Sequence, residues 1–336
     1  MKRKLAFLLM LCFGWSFFLN GCGGTLPKTD DRLQVVCTIF PEYDWARQLT
    51  QGVDNVDLTL LVKNGTDLHS YQPSVRDIAM IARADVFCYV GGVSDTWVND
   101  VLDTTENRTA QLVSMAEAAD ADEEVLAEGM QAEHEHEHEH EHEHEHHDDE
   151  SDSHEEPPEL DEHVWLSLRR AALACTAMKE ALCKADPAHE DIYNQNCTNY
   201  LQKFQELDSD FTEMTSQAAR DTIVVADRFP FRYLAEDYGL TYYAAFPGCS
   251  AETEASFETI VFLSEKVESL HLPCVLVTEG SNSSLAKTIL ENAGSDGKIL
   301  TLQSLQAVSQ KEVDAGVTYL SKMQENYDVL KQALNS

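Results

Sequence analysis

From Pro187 to about Arg220 the residues Tyr193, Cys197, Tyr200, Leu201, Phe204, Leu207 and Phe211 recur at three- and four-residue steps. That spacing is one face of a single helix much longer than the globular average of about a dozen residues. What flanks it narrows the fold further. On the N-terminal side, Leu33–Phe40, Val56–Val62 and Ala84–Val90 read as strands, with helices over Glu42–Gly52 and Ser74–Arg83 between them. On the C-terminal side, Thr222–Asp227, Thr241–Phe246, Cys274–Glu279 and Lys298–Leu302 read as strands with helices between, and a last helix spans Lys311–Leu334. Short apolar strands alternating with helices form parallel sheets covered on both faces. The expected class is α/β: two doubly wound α/β lobes, 33–186 and 221–336, joined by one long linking helix over 187–220. A cleft between such lobes is where ligands collect.

One segment resists this pattern. From about Asp120 to Glu162 apolar residues are scarce, and Glu133–His147 reads EHEHEHEHEHEHEHH. Such a run buries too little surface to order itself, so it reads as an insertion within the N-terminal lobe. His134, His136, His138, His140, His142, His144, His146, His147 and His154 give it many overlapping ligand sets. Each is entropically costly to close, which predicts several sites of modest affinity. The tract also carries part of the formal charge of −35, a balance that excludes nucleic acid as a partner.

The first residues have the layout of an export signal: Lys2, Arg3 and Lys4, then the apolar Leu5 to Leu19. The apolar run is shorter than the roughly 20 residues that span a bilayer. Leu19-Asn20-Gly21-Cys22 reads as a lipobox, giving a signal peptide over 1–21, a lipid on Cys22 and a polar tether over 22–32. Two acyl chains make a stable anchor, so the expected location is extracytoplasmic and tied to the bacterial cell membrane. The other cysteines, Cys12 in the signal aside, show no CxxC pairing and sit largely in apolar patterns, which suits small buried residues rather than a disulfide framework or a thiol catalyst.

Metal-capable side chains fall where a cleft would be lined. His69 follows the second strand, Asp227 and Glu279 end theirs, and His163 precedes a helical run. Two imidazoles with one or two carboxylates suit Zn²⁺ or Mn²⁺. The bland alternatives are surface histidines, helix caps and salt-bridge partners, and spacing alone does not choose between them.

NGTDLHSYQPSVRD is similar to the G-x-D-x-H-x-Y-x-P-x-x-x-D segment of the cluster A-I (ZnuA/TroA-like) substrate-binding proteins of zinc and manganese ABC importers. EHVWLSL resembles that family's N-x-H-x-W-L-D-P segment, and FRYLAEDYGL, AETEASFETI and VLVTEGSNSSLAKTILENAG resemble its C-terminal lobe. The resemblance covers nearly the whole chain beyond the tether, in the family's order. It implies that His69 and His163 are metal ligands of the N-terminal lobe. The family's third ligand, a His or Glu, falls at Arg228, which stays protonated and cannot coordinate. Either Asp227, one residue before it, takes that place, or Glu279 supplies the C-terminal share. An Asp found in manganese-type members is replaced here by Ser283 and Ser284.

The resemblance implies a monomer that captures Zn²⁺, or alternatively Mn²⁺, and delivers it to an ABC permease and its ATPase. The His-rich tract then acts as an accessory collector or sensor, or as an acidic loop that binds metal incidentally. Imidazole favours zinc over manganese. A non-transport, zinc-collecting surface lipoprotein is the rival from another class. A metallohydrolase is another, but the chain carries no HExxH, GxSxG or P-loop pattern, which speaks against an enzyme.

Overall fold

The structure is a computed structural model and describes residues 32–63, 66, 68–105, 109–130, 159–250 and 254–336. The signal, the lipobox Cys22, most of the tether and His134 to His154 of the tract lie outside the described residues.

Strands β1 (Leu33–Cys37), β2 (Val56–Leu60), β3 (Val86–Tyr89) and β4 (Gln111–Ser114) form one sheet in the order β2-β1-β3-β4. Strands β5 (Thr222–Phe229), β6 (Thr241–Pro247), β7 (Cys274–Thr278) and β8 (Lys298–Leu302) form a second, in the order β6-β5-β7-β8. Every pairing in both sheets is parallel. The same winding is thus used twice, with the strand order reversing between β1 and β3 and between β5 and β7. Those switch points open a crevice at the carboxyl ends of the strands.

The helices of the first lobe are α1 (Phe40–Leu49), α2 (Val75–Ile81), α3 (Trp97–Thr104), α4 (Met115–Ala118) and α5 (Leu168–Ala185). The long helix α6 (Glu190–Ser216) has 27 residues and follows a 3-10 turn begun by Pro187. Its buried face is Tyr193, Cys197, Tyr200, Phe204, Leu207, Phe211 and Met214, the periodic set with Leu201 left half-buried. The second lobe carries α7 (Arg232–Asp237), α8 (Phe257–Ser269), α9 (Ser284–Asn292), α10 (Gln310–Asp314) and α11 (Tyr319–Asn335).

Strand β4 is absent from the sequence expectation, β5 runs to Phe229, two residues past Asp227, and two further details depart from it. The single last helix is two helices, because Gly316 takes a φ of 88°, a left-handed turn that glycine tolerates, and Thr318 caps a new start. The ends of the acidic insertion are ordered. Residues 121–130 and 159–162 form a stem closed by a Glu123–Leu160 bridge, with the Glu124 amide donating to Glu159 O at 2.8 Å and the Asp161 amide to Asp122 O at 2.9 Å. The Arg232 guanidinium donates to Glu123 O, and the Tyr233 hydroxyl accepts from the Asp122 amide and donates to Asp161 O. Backbone and C-terminal-lobe partners supply the order that the acidic composition lacks.

The largest cluster of buried side chains runs through both lobes. Trp45 of α1 meets Tyr319 of α11 edge to face at 5.3 Å, and Phe204 of α6 lies 5.3 Å from the same ring. Within this contact Asp44 is fully buried. Its Oδ2 accepts the Tyr319 amide at 2.8 Å and the Tyr200 hydroxyl at 3.2 Å, and its Oδ1 accepts Arg47 Nε at 3.0 Å. Arg47 also donates to Val317 O at 2.7 Å. One carboxylate therefore ties α1, α6 and α11 together. Replacing Asp44 by Ala would leave a buried amide and a hydroxyl without an acceptor, for an expected loss of about 3 kcal/mol. Urea unfolding of the two proteins measures this; a loss below about 1 kcal/mol would show that the tie is dispensable.

Candidate metal centre

The N-terminal lobe builds most of the centre from loops at its strand ends. After β2 the chain makes a 3-10 turn over Leu68–Ser70 that carries His69. After β3 it passes Gly91 and Gly92 into a second such turn, Val93–Asp95, which carries Ser94 and Asp95. The outgoing arm of the insertion stem delivers Asp161, Glu162 and His163 just before a third turn, Val164–Leu166, that leads to α5. That turn is pinned to the second lobe: Trp165 Nε1 donates to Ser304 O at 2.8 Å, and the Tyr319 hydroxyl donates to Trp165 O at 2.7 Å.

His69, Glu162, His163 and Cys249 each offer a ligand atom, and these atoms lie within 4.8 Å of one another. Cys249 comes from the second lobe, two residues beyond β6. His163 is fully buried; its Nδ1 lies 2.9 Å from Asp161 Oδ1, while its Nε2 is buried with no hydrogen-bond partner among the described residues. A carboxylate on Nδ1 fixes the tautomer that presents the Nε2 lone pair, a standard arrangement for a metal-binding imidazole. His69 Nδ1 lies 2.8 Å from Ser94 Oγ, whose hydroxyl donates to Glu162 Oε1. With that proton committed to Glu162, the Ser94 oxygen accepts from His69 Nδ1–H, so Nε2 carries the lone pair there too.

Close packing leaves no slack. A Cβ on Gly92 would sit 2.2 Å from Glu162 Oε2, and one on Gly248 would sit 2.8 Å from His163 Cε1. Both glycines are needed for backbone to pass against the ligands.

The electrostatics suit a dication. Burial raises Glu162 above the ordinary carboxylate range, partly offset by His163 and Ser94. Burial and then Glu162 push Asp95 up to about 7, and burial and then Asp95 push Glu42 up to about 8. Burial alone would lower His163, but Asp161, Glu162 and Glu124 outweigh it and raise it. Acidic groups thus accumulate around two imidazoles, with the Arg232 guanidinium at 3.9 Å from Asp161 Oδ2 on the periphery. Burial, then Glu162, Glu124 and Asp161, raise the Cys249 thiol far above its ordinary value, so it becomes a thiolate only where an ion displaces its proton. With two neutral imidazoles and a carboxylate, that thiolate would then sum to a charge of about −2, which balances Zn²⁺ in a tetrahedral set.

Of the four ligands expected from sequence, the structure brings together His69 and His163 and sets Asp227 and Glu279 apart. Both carboxylates line a cavity of about 380 Å³ at the second lobe's switch point. Asp227 lies where the β5–β6 register shifts, between Val225 and Arg228; its oxygens accept the Arg228 amide at 2.9 Å and the Thr278 amide at 3.4 Å. Glu279 accepts the Ser304 amide at 2.6 Å and the Ser304 hydroxyl at 2.5 Å. These bonds hold the two carboxylates beside β5 and β7, outside the cluster of His69, Glu162, His163 and Cys249. Glu162 and Cys249 were not anticipated. Glu162 immediately precedes His163, and Cys249 follows a strand end, the position where ligands collect in α/β sheets and the same kind of position that Asp227 takes in the sequence.

Glu42 gives a pH-dependent test of the buried acids. Its folded pKa of about 8 exceeds the unfolded value of about 4.3. Below pH ~4.3 both states hold the proton; above it the unfolded chain releases a proton that the folded chain keeps. Stability contributed by this group is therefore complete at low pH and lost as pH climbs through about 8. Denaturant midpoints should fall between pH 6 and 8.5, and Glu42→Gln should fall less; an identical slope would show that Glu42 ionises normally.

The ZnuA family, zinc-uptake complex component A, periplasmic, matches residues 35–333. The zinc-binding lipoprotein AdcA of Streptococcus pneumoniae is 31% identical over 332 residues, which cover 99% of this chain and 61% of AdcA. The chain thus spans less than two thirds of that relative's length. The high-affinity zinc uptake system protein ZnuA of Bacillus subtilis is 30% identical over 333 residues, 98% of this chain and 96% of that protein. The crystal structure of the Zn(II)-bound ZnuA-like domain of S. pneumoniae AdcA has 27% identity and a TM-score of 0.68, over 91% of this chain and 100% of that domain. Two parallel lobes, a long helix between them and a match along almost the whole described chain lead to one assignment: the chain belongs to the ZnuA family of zinc-uptake components.

Proposed function

We propose that the chain is the extracytoplasmic, solute-binding component of a zinc ABC importer. It captures Zn²⁺ between its lobes and delivers the ion to a membrane permease served by an ATPase, while a lipid on Cys22 holds it at the membrane. It handles the ion as cargo and performs no turnover. The observation that carries this reading is the convergence of His69, Glu162, His163 and Cys249 ligand atoms within 4.8 Å, three from one lobe and one from the other. The reading draws support from the zinc-binding relatives named above.

The chemistry follows from the ligands. Zn²⁺ displaces protons from His163 and Cys249, so capture weakens on acidification. A thiolate is a soft donor that suits zinc and is disfavoured by manganese. Asp227 and Glu279 hold the second lobe's strand ends rather than the ion. The histidines of the tract, His134 to His154, gather zinc at modest affinity as an accessory to the centre.

A competitive zinc titration of the intact chain, and of a chain lacking Gln131–His154, tests the assignment. One tight site per chain should survive the deletion while weaker ones disappear. His163→Ala and Cys249→Ser should each cost more than the 10–100-fold typical of losing an outer-shell partner. Asp227→Asn and Glu279→Gln should cost less than about tenfold, and a larger loss would return those carboxylates to the ligand set. If tight binding disappears with the tract, the tract and not the cleft is the working site.

A further inference from the structure

The turn that carries Cys249 is held from the opposite lobe. The chain leaves β6 at Pro247, and the turn's own bond, from the Ser250 amide to Pro247 O, is long at 3.4 Å. Glu124 reaches it from the incoming arm of the insertion stem. Its Oε1 accepts the Gly248 amide, one residue before Cys249, at 3.0 Å. Glu124 is itself seated: its amide donates to Glu159 O, and the neighbouring Glu123 carbonyl accepts from Arg232 of α7. Further along this arm Glu128 pairs with Lys266 of α8 at 3.7 Å, and Gly129 lies so close to the Phe262 ring that a Cβ would stand 2.2 Å from it. The other arm of the same stem runs through Leu160 and Asp161 straight into Glu162 and His163.

A carboxylate beside a metal-binding thiol is electrostatically unhelpful, since two negative groups repel. Its value here is geometric. A carboxylate of the opposite lobe that accepts the Gly248 amide holds the start of this short turn, as charge-assisted bonds to backbone N–H groups do at helix caps. Gly248 also passes against His163, so a shift of this turn moves Cys249 and the wall behind His163 together.

We infer that Glu124 is a positioning residue: it holds the Gly248–Cys249 turn so that the thiol meets His69, Glu162 and His163. This rests on the reading of those four residues as the metal centre. The foot of the His-rich insertion is then a structural part of that centre. One arm presents Glu162 and His163, and the other presents Cys249.

Co²⁺ bound to the full chain reports the thiol directly, because a thiolate ligand gives a near-ultraviolet charge-transfer band that imidazoles and carboxylates do not. The wild type should show the band, and Cys249→Ser should abolish it. Glu124→Ala should lose most of it and weaken zinc binding by 10–100-fold. Glu124→Gln keeps an acceptor oxygen and should restore both. Glu124→Asp, which keeps the charge but not the reach, should behave like the alanine variant and covers the case in which alanine does not fold. Glu128→Ala, on the same arm with a largely exposed side chain, should change neither. In a Cys249→Ser background, Glu124→Ala should add less than about threefold. A wild-type band and affinity in the Glu124→Ala or Glu124→Asp variant overturns the inference and leaves the ligand set standing. So does an equal affinity loss with and without Cys249. A wild-type chain lacking the band overturns the four-ligand reading, and the positioning role falls with it.

Discussion

The metal centre proposed above needs a fixed spacing between the lobes, and the buried residue Asp44 ties them. Its carboxylate accepts from the first residue of α11, from Tyr200 on the long helix and from its own neighbour Arg47. Around it Trp45, Phe204 and Tyr319 pack as one aromatic cluster. A hydrophobic contact alone is non-directional and tolerates sliding. A buried carboxylate whose partners come from three elements does not, because any slip leaves one of them without an acceptor in a low-dielectric interior. Trp165, bonded to Ser304 on one side and to Tyr319 on the other, extends the same constraint to the residue two beyond His163.

With spacing fixed, the N-terminal lobe concentrates negative charge where its strands end. Glu42 closes the β1–α1 turn by accepting the Thr38 and Ile39 amides, Asp95 closes the β3 turn by accepting the Val90 and Gly91 amides, and Glu162 accepts the Ser94 amide. Glu42 and Asp95 are local caps and Glu162 ties two distant loops, yet after burial Asp95 raises Glu42 and Glu162 raises Asp95. Local capping and global electrostatics conflict here, and such conflicts collect at functional sites. A dication beside Glu162 relieves the conflict at one end of the series, which is a physical reason for the site to favour a bound ion over an empty state.

The fold was legible because its signals are periodic. The recurrence of Tyr193 to Phe211 gives the long helix, and apolar runs such as Val35 to Cys37 give strands buried on both faces. The β4 strand was not legible: it is four residues long at a sheet edge, only Val113 of it is buried, and Gln111 and Ser114 disguise it. The site was half legible. His69 and His163 stand out by residue type at strand-end and pre-helix positions. Asp227 and Glu279 stand out equally, and sequence cannot show that they lie outside the His69–Glu162–His163–Cys249 cluster. Cys249 was hidden because a lone cysteine among buried ones looks like packing, and only the meeting of the lobes puts its sulfur beside two imidazoles.

That meeting also explains how a family position can hold arginine without the centre losing its second-lobe contribution. Arg228 stands where the resemblance places a His or Glu, and Asp227 beside it is turned to the β5–β7 junction. On the proposed ligand set the share of the second lobe comes from the next loop around the sheet, after β6, where Gly248 lets the chain press against His163. A ligand on that loop lies opposite the insertion stem and within its reach, whereas one at the end of β5 would be held by its own sheet. Moving the ligand from a strand end to a turn gives up rigidity. The Glu124 carboxylate, supplied by the other lobe, returns it. On the ligand set proposed above, the centre is therefore completed by contacts between the lobes, and anything that shifts the stem shifts the ligands on both of its sides.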